Sequence, residues 1–124
     1  MTAGPVSDLA GMLAGMAPRL DAREWRFVVI ESEASADAFA LIREDEGTTA
    51  IVPGHGEGAA FARITLTVHS ALEGIGLTAV VATALAEAGI ACNVVAGFHH
   101  DHLFVPWQRR DEALAVLQRL SQSV

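Results

Sequence analysis

The sequence predicts an α+β fold in which helices pack on one face of an antiparallel sheet. Residues 64–69 alternate apolar and polar side chains, which is the period-2 pattern of a strand with one buried face. Residues 76–90 form a helical segment bracketed by glycines, and residues 111–120 repeat apolar side chains at helical spacing. Two apolar runs lie between these helices, so the order over residues 61–120 is strand, helix, strand, strand, helix.

The composition is that of a globular protein with an acidic surface. The 124 residues suffice for one ordinary core, or for two very small cores that share an interface. Hydrophobic residues make up 52% of the chain and charged residues 19%, which excludes a disordered chain. The 15 acidic residues outnumber the 8 basic ones, and a formal charge of −7 repels phosphate backbones. We therefore expect no nucleic-acid partner.

Cysteine content and hydropathy favour a cytoplasmic protein. The single cysteine, Cys92, has no internal disulfide partner and lies in an apolar run, so a reducing compartment is expected. Apolar stretches are interrupted well before the ~18 residues that a membrane span needs. The first 20 residues have no basic start and contain Asp8, which argues against a signal peptide. We expect no membrane association.

The N-terminal segment predicts one short helix. Ser7 is the expected N-cap, the helix continues to about Met16, and Pro18 ends it. Four apolar residues share one face at i, i+3, i+4 and i+7 spacing: Leu9, Met12, Leu13 and Met16. Such a face needs a sheet to pack on.

Three strands are predicted next. Residues 25–30 read as a single strand, and residues 38–43 and 48–52 as a hairpin. The acidic turn 44–47 joins the two hairpin strands, and Gly47 there is able to adopt a positive φ.

The strongest interruption of the chain is residues 53–58, Pro-Gly-His-Gly-Glu-Gly. Three glycines and a proline in six residues disfavour both a helix and a ladder of strands. We place a boundary there, which divides the chain into units of residues 1–58 and 59–124.

The second half predicts a helix and two strands around a turn. The helix has an apolar stripe of Leu77, Val81, Ala84, Leu85 and Ala88. Gly89 suits the C′ position, where a left-handed residue ends a helix. Residues 90–97 are nearly all apolar, so this strand is expected to be central and covered on both faces. Residues 99–101 turn the chain, and the partner strand 102–106 ends at its proline.

The last helix, residues 111–120, is amphipathic. Its expected inward residues are Ala113, Leu114, Val116, Leu117 and Leu120. The resulting β-α-β-β-α order lacks one strand of the ferredoxin-like βαββαβ pattern. A strand from residues 25–52, or another protomer, is expected to pair with the open edge.

Residues 76–90 resemble the core of an ACT domain, a small βαββαβ module that binds amino acids and related effectors. In that family the helix typically opens with Asp-x-Pro-Gly-x-Leu and closes with Leu-x-x-x-Gly-Ile. Residues 92–106 resemble a branch of short bacterial proteins built from two ACT-like units. The resemblance is strongest over residues 61–120, and it implies two ACT-like units with antiparallel sheets.

The resemblance also implies a ligand site at the bend before the helix. Its residues would be Leu72, Glu73, Gly74, Ile75, Gly76, Leu77 and, on the facing strand, Asn93. Gly76 allows a ligand to approach the free N–H groups of the helix, which suit a carboxylate. Glu73 offers a carboxylate to an amino group. The chain departs from the family at three positions, where Glu73, Ile75 and Thr78 replace the usual Asp, Pro and Leu.

Simpler interpretations of these residues stay open. Gly76 also suits a tight strand-to-helix turn, and Glu73 a solvated loop. Asn93 is equally suited to a pocket or to pinning the adjacent loop. Cys92 is expected to be a small core residue, because no neighbour in sequence lowers its pKa.

Three further function classes compete with ligand binding. His99, His100 and His102, together with Asp101, form a cluster with the side chains that zinc prefers, although adjacent turn histidines usually diverge. An enzyme is weakly supported, because the sequence has no nucleophile elbow, phosphate loop or zinc-protease motif. A purely structural dimerisation module is the third alternative.

The sequence therefore predicts a non-catalytic, cytoplasmic sensor that binds a small-molecule effector without a cofactor. The resemblance makes an amino acid the expected effector and a homodimer the expected assembly.

Overall fold

The computed structural model describes residue 5 and residues 7–31 and 37–123. Its first half consists of helix α1 (Leu9–Ala14) and strands β1 (Arg19–Leu20), β2 (Trp25–Ile30), β3 (Ala40–Glu44) and β4 (Gly47–Pro53). Its second half consists of β5 (Phe61–Leu66), α2 (Leu77–Glu87), β6 (Asn93–Ala96), β7 (Asp101–Pro106), a 3₁₀ turn (Trp107–Arg109) and α3 (Arg110–Gln122). None of the helices in these ranges is long and apolar enough to cross a membrane.

All the strands join one antiparallel sheet in the order β3-β4-β2-β5-β7-β6, and β1 also pairs with β5. The order β1-β5-β7-β6, with α2 and α3 following β5 and β7, is that of a ferredoxin-like sheet. The predicted α+β fold is therefore confirmed.

The open edge of β5 is paired from within the chain. Arg19 and Leu20 pair with Thr65 and Ile64, and Trp25 pairs with Phe61. The predicted strand 25–30 thus supplies one residue of this pairing, and β1 supplies the rest. The sequence did not predict β1, because a strand of two residues is too short to show a period-2 pattern.

The predicted central position of the strand after α2 is wrong, because β6 forms the edge of the sheet. Both faces of β6 are nevertheless covered in part: Val94 packs beneath the helices and Val95 packs on an aromatic cluster. An apolar run indicates coverage of two faces, and it carries no information on the number of neighbouring strands.

The main core lies between the sheet and all three helices. Ile64 and Leu66 of β5 point inward, as predicted, and Ala62 extends the same alternation; all three meet the predicted apolar stripes of the helices. Helix α2 ends in a Schellman motif, in which Ile90 N–H donates to Leu85 C=O at 2.9 Å and Gly89 has φ +74°. The predicted C′ role of Gly89 is confirmed.

The ends of α1 differ from the prediction. Asp8, not Ser7, is the N-cap, and its carboxylate accepts a hydrogen bond from Gly11 N–H at 2.8 Å. The helix ends at Ala14, ahead of the predicted stop at Pro18, and Gly15 is its C-cap. Adjacent Ser and Asp are both good N-caps, so the sequence alone does not distinguish them.

A second cluster lies on the opposite face of the sheet and contains Trp25, Phe39, Ile51 and Phe104. The Arg63 guanidinium lies over the rings of Trp25 and Phe39, at 4.8 and 4.5 Å from their centroids. Its Nη2 donates to Asp21 Oδ2 at 2.9 Å. This cluster, which we call the inner aromatic cluster, joins the N-terminal strands to β5 and β7.

Asp21 receives hydrogen bonds from two arginines. The side chain of Arg23 is the main reason that the pKa of Asp21 is lowered to about 2, and Arg63 lowers it further. Since the folded pKa lies below the ordinary value of 3.8, the ionised form stabilises the fold above about pH 4. That stability is lost as the pH falls from about 4 towards 2.

We expect Asp21→Asn to lower the free energy of unfolding at pH 7 by roughly 1–2 kcal/mol, because a charge-assisted pair is lost. The difference from wild type should shrink between pH 4 and pH 2, as measured by urea unfolding. Asp45→Asn, in the exposed turn between β3 and β4, is the matched control and should change stability by less than about 0.5 kcal/mol. Parallel curves for wild type and Asp21→Asn over the whole pH range would contradict this role.

Candidate functional site

Helix α1 packs against the bend between β5 and α2. Gly76 is the N-cap of α2, has φ +103° and accepts a hydrogen bond from Val80 N–H at 2.9 Å. A Cβ atom on Gly76 would lie 3.3 Å from Leu9 Cδ2, and one on Gly74 would lie 2.9 Å from Met12 Sδ. The close approach of α1 to the bend therefore explains why both positions are occupied by glycine.

Helices α1 and α3 each have an acidic side chain at the positive end of the helix dipole, whereas α2 does not. No side chain of the described residues caps α2, and its first turn contains no acidic residue. Asp8 caps α1, while Asp111 and Glu112 lie in the first turn of α3. The free N–H groups and the positive end of the α2 dipole remain available to an anionic group.

A cavity of about 90 Å³ lies at this helix end. Three polar side chains line it, those of Ser70, Thr78 and Asp101. The remaining lining residues are Met12, Ala71, Leu72, Gly74, Leu77, Ala96 and Gly97. We call this space the bend cavity, and it is where α1, the bend, α2 and the β6–β7 connection meet.

Strand register brings Asp101 to the bend cavity. It is the first residue of β7, and it pairs with Leu66, at the end of β5, and with Ala96, at the end of β6. Burial raises the pKa of Asp101, and a hydrogen bond with the Ser70 side chain opposes that rise. A half-buried carboxylate of this kind is a suitable partner for a ligand cation.

Only some of the predicted site residues line the bend cavity. Leu72, Gly74 and Leu77 line the bend cavity, and Gly76 lies beneath Leu9. Ile75 has 86% of its surface exposed, and Glu73 lines an outer groove of about 320 Å³ with His69, Leu72 and Phe98. Asn93 is exposed on the edge strand beside Phe104 and is not among the residues that line the bend cavity.

Sequence reasoning assigned the acidic role at the bend to Glu73, whereas Asp101 is the carboxylate in the cavity. It also missed Ser70, Thr78 and Met12. The signal for Asp101 is its register opposite the last residue of β5, which only the observed pairing supplies.

The predicted histidine cluster does not converge. His102 faces the inner aromatic cluster, where its Nδ1 lies 2.9 Å from Thr65 Oγ1 and its ring contacts Phe39. Burial lowers the pKa of His102 to about 4, so its ring is neutral at pH 7. His100 Nδ1 lies 3.3 Å from Val68 O, and His99 is exposed in the turn. Within the described ranges, no three His, Cys, Asp or Glu side chains form a group that could hold a metal ion.

Cys92 packs against the main core, as its sequence context predicted. Burial raises the pKa of its thiol to about 11. The thiol is therefore protonated at pH 7, and a thiolate nucleophile at this position is disfavoured.

Two family models match the sequence of this chain. A family model described as an ACT domain matches residues 63–119, and a second with the same description matches residues 5–67. No curated protein is significantly similar to the chain.

The solved structures that are similar to this chain include one from Vibrio cholerae and one from Agrobacterium tumefaciens. One, from Vibrio cholerae, is described as a protein of unknown function and possible transport protein; it is 40% identical, with a TM-score of 0.76, over 87% of this chain and 92% of its own. The other, from Agrobacterium tumefaciens, is 17% identical, with a TM-score of 0.58, over 80% of this chain and 82% of its own. The second likeness concerns the fold alone.

The two glycines that bracket α2 allow a matched test of the bend. Gly89→Ala should lower the free energy of unfolding by about 1 kcal/mol through backbone strain alone, since no atom of the described residues lies within 4 Å of the added methyl group. Gly76→Ala should cost about 2–3 kcal/mol, because the methyl group also meets Leu9. Urea unfolding measures both, and equal costs would contradict the close approach of α1 to the bend.

Proposed function

Because the chain belongs to the ACT-domain family, we propose that it is a sensor that binds an amino acid in the bend cavity. ACT domains generally bind small-molecule ligands for regulation and are themselves non-catalytic. The observation that carries the proposal is the pairing of an uncapped helix N-terminus with the Asp101 carboxylate in one cavity.

An α-amino acid carries the two charges that this cavity complements. Its carboxylate would accept hydrogen bonds from the free N–H groups at the start of α2. Its ammonium group would pair with Asp101, whose desolvation in the free protein is then offset by an opposite charge. The hydroxyl groups of Ser70 and Thr78 are available to both ligand groups.

The volume of the bend cavity favours the smallest amino acids. About 90 Å³ is far below the 300–1,000 Å³ that is typical of drug-sized ligands, and it corresponds to roughly three water molecules of liquid volume. Met12 limits the space, and its thioether chain is adaptable. Glycine, alanine and serine are thus the preferred ligands, and larger side chains require Met12 to move.

Regulation would pass through elements that line the cavity. Ser70, Ala71 and Leu72 line both the bend cavity and the outer groove, so a ligand inside alters the surface outside. Met12 couples the same cavity to α1. The ligand would shift the population between two packings of these elements, in a cytoplasmic protein that forms a homodimer.

The division into units of residues 1–58 and 59–124 is also part of the proposal. It is supported by the two ACT-domain matches, which cover residues 5–67 and 63–119. Strand β5 follows the proposed boundary and pairs with β1 and β2 on one edge and with β7 on the other. The two units would therefore share one sheet.

Thermal unfolding in the presence of single amino acids tests ligand binding. A small amino acid at ten times its Kd should raise the Tm by about 5 °C, since ligand binding to the native state alone stabilises it. Asp101→Asn should abolish the shift, because the partner of the ammonium group is lost.

Glu73→Gln is the matched control, since Glu73 is a carboxylate of the same bend that lines the outer groove instead. It should leave the shift unchanged. A panel of amino acids without effect at millimolar concentration would favour the structural dimerisation module. A shift that Glu73→Gln removes and Asp101→Asn preserves would assign the ligand to the outer groove.

A further inference from the structure

A depression opens where the chain leaves the edge of β5. Between Leu20 and Trp25 the ladder with β5 is interrupted, and residues 21–24 form the connection. The depression has a volume of about 520 Å³ and is lined by Ala22–Glu24, Pro53–His55 and Trp107. A neighbouring one of about 320 Å³ shares Glu24 and Trp107 with it. Together they form a cleft of ligand size, which we call the Glu24 cleft.

Glu24 is the unusual group of this cleft. Its side chain is only 14% exposed, and its carboxylate forms an ion pair with His55, whose side chain is 93% exposed. The buried Oε2 atom makes no hydrogen bond of good geometry within the described residues. The buried carboxylate of Glu24 is therefore paired with a side chain that lies almost wholly in solvent.

The permanent cations around the cleft are engaged elsewhere. Arg23 donates twice to Asp21, at 3.1 Å each, and Arg26 donates to Gly54 O at 3.2 Å. Arg109 donates to Glu112 and to two carbonyl groups at the end of α2. None of the hydrogen bonds described for these arginines goes to Glu24, so an ammonium group at Glu24 would not displace any of them.

Apolar and aromatic side chains line part of the cleft, beside the polar side chains of Arg23, His55, Gln108 and Arg109. Ala22, Pro53 and the Trp107 indole line it. The Arg110 guanidinium already lies 3.8 Å from the Trp107 ring centroid, which demonstrates that this indole accepts a cation on its face. A ligand that suits these groups combines an ammonium head with an apolar body.

We propose that the Glu24 cleft is a second binding site, which takes small organic ammonium compounds with an apolar or aromatic body. The ammonium group displaces His55 from Glu24, and the body lies against Ala22, Pro53 and Trp107. Among the described residues, the cleft and the bend cavity have no lining residue in common, so the two sites are separate in space.

The test uses ¹⁵N-labelled protein and 2-phenylethylamine, with the Trp107 indole N–H resonance assigned through Trp107→Phe. We expect a saturable shift of this resonance at millimolar amine. The neutral isostere 2-phenylethanol should produce no saturable shift. Glu24→Gln should weaken amine binding by about tenfold or more, because a charge-assisted hydrogen bond is lost.

His55→Ala distinguishes a ligand-binding role of Glu24 from a merely structural one. Its exposed ring can be removed without loss of packing, and the amine should then bind about two- to threefold more tightly, because its competitor is gone. Equal shifts with 2-phenylethanol, unchanged affinity in Glu24→Gln, or weaker binding in His55→Ala would each overturn the proposal. If Glu24→Gln fails to fold, the alcohol and His55→Ala decide the outcome.

Discussion

The placement of Arg63 among Asp21, Trp25 and Phe39 is the constraint on which the rest of the fold depends. Arg63 belongs to β5, whereas its three partners come from the first 39 residues. Its cation is removed from water against two aromatic faces, and Asp21 compensates its charge. The contact aligns the N-terminal strands with the edge of β5, so that one sheet runs through both halves of the chain.

This alignment leaves α1 on the other face, where it completes the main core and covers the bend. Leu9 and Met12 of α1 explain why Gly76 and Gly74 have no side chains. The same approach limits the bend cavity to a small volume. The position of α1 therefore determines both the packing of the main core and the size of the ligand that the bend cavity accepts.

The predictable part of this protein is the part encoded locally. The helix stripes, Gly89 and the alternation in β5 follow from periodicity and capping, and they depend on neighbours a few residues away. Strand order is a non-local property, so the edge position of β6 and the pairing of β1 were not foreseen. The Arg63 contacts and the placement of Asp101 depend on the same register.

The residues of the candidate sites, too, were predicted from the sequence only in part. Family resemblance located the bend, and Leu72, Gly74 and Leu77 do line its cavity. Glu73 and Asp101 are equally acidic in the sequence, and only the sheet decides that Asp101 lines the bend cavity whereas Glu73 lines the outer groove. The histidines near residue 100 looked like one cluster, yet strand alternation sends His102 to the inner aromatic cluster.

The most direct measurement is a map of backbone amide shifts in ¹⁵N-labelled protein titrated with alanine. A ligand in the bend cavity predicts saturable shifts that are largest at residues 70–78, at Ala96 and Gly97, and at Asp101. Shifts confined to the exposed edge at Asn93 or to the Glu24 cleft, or no shift at millimolar alanine, would contradict the assignment of the bend as the sensor site.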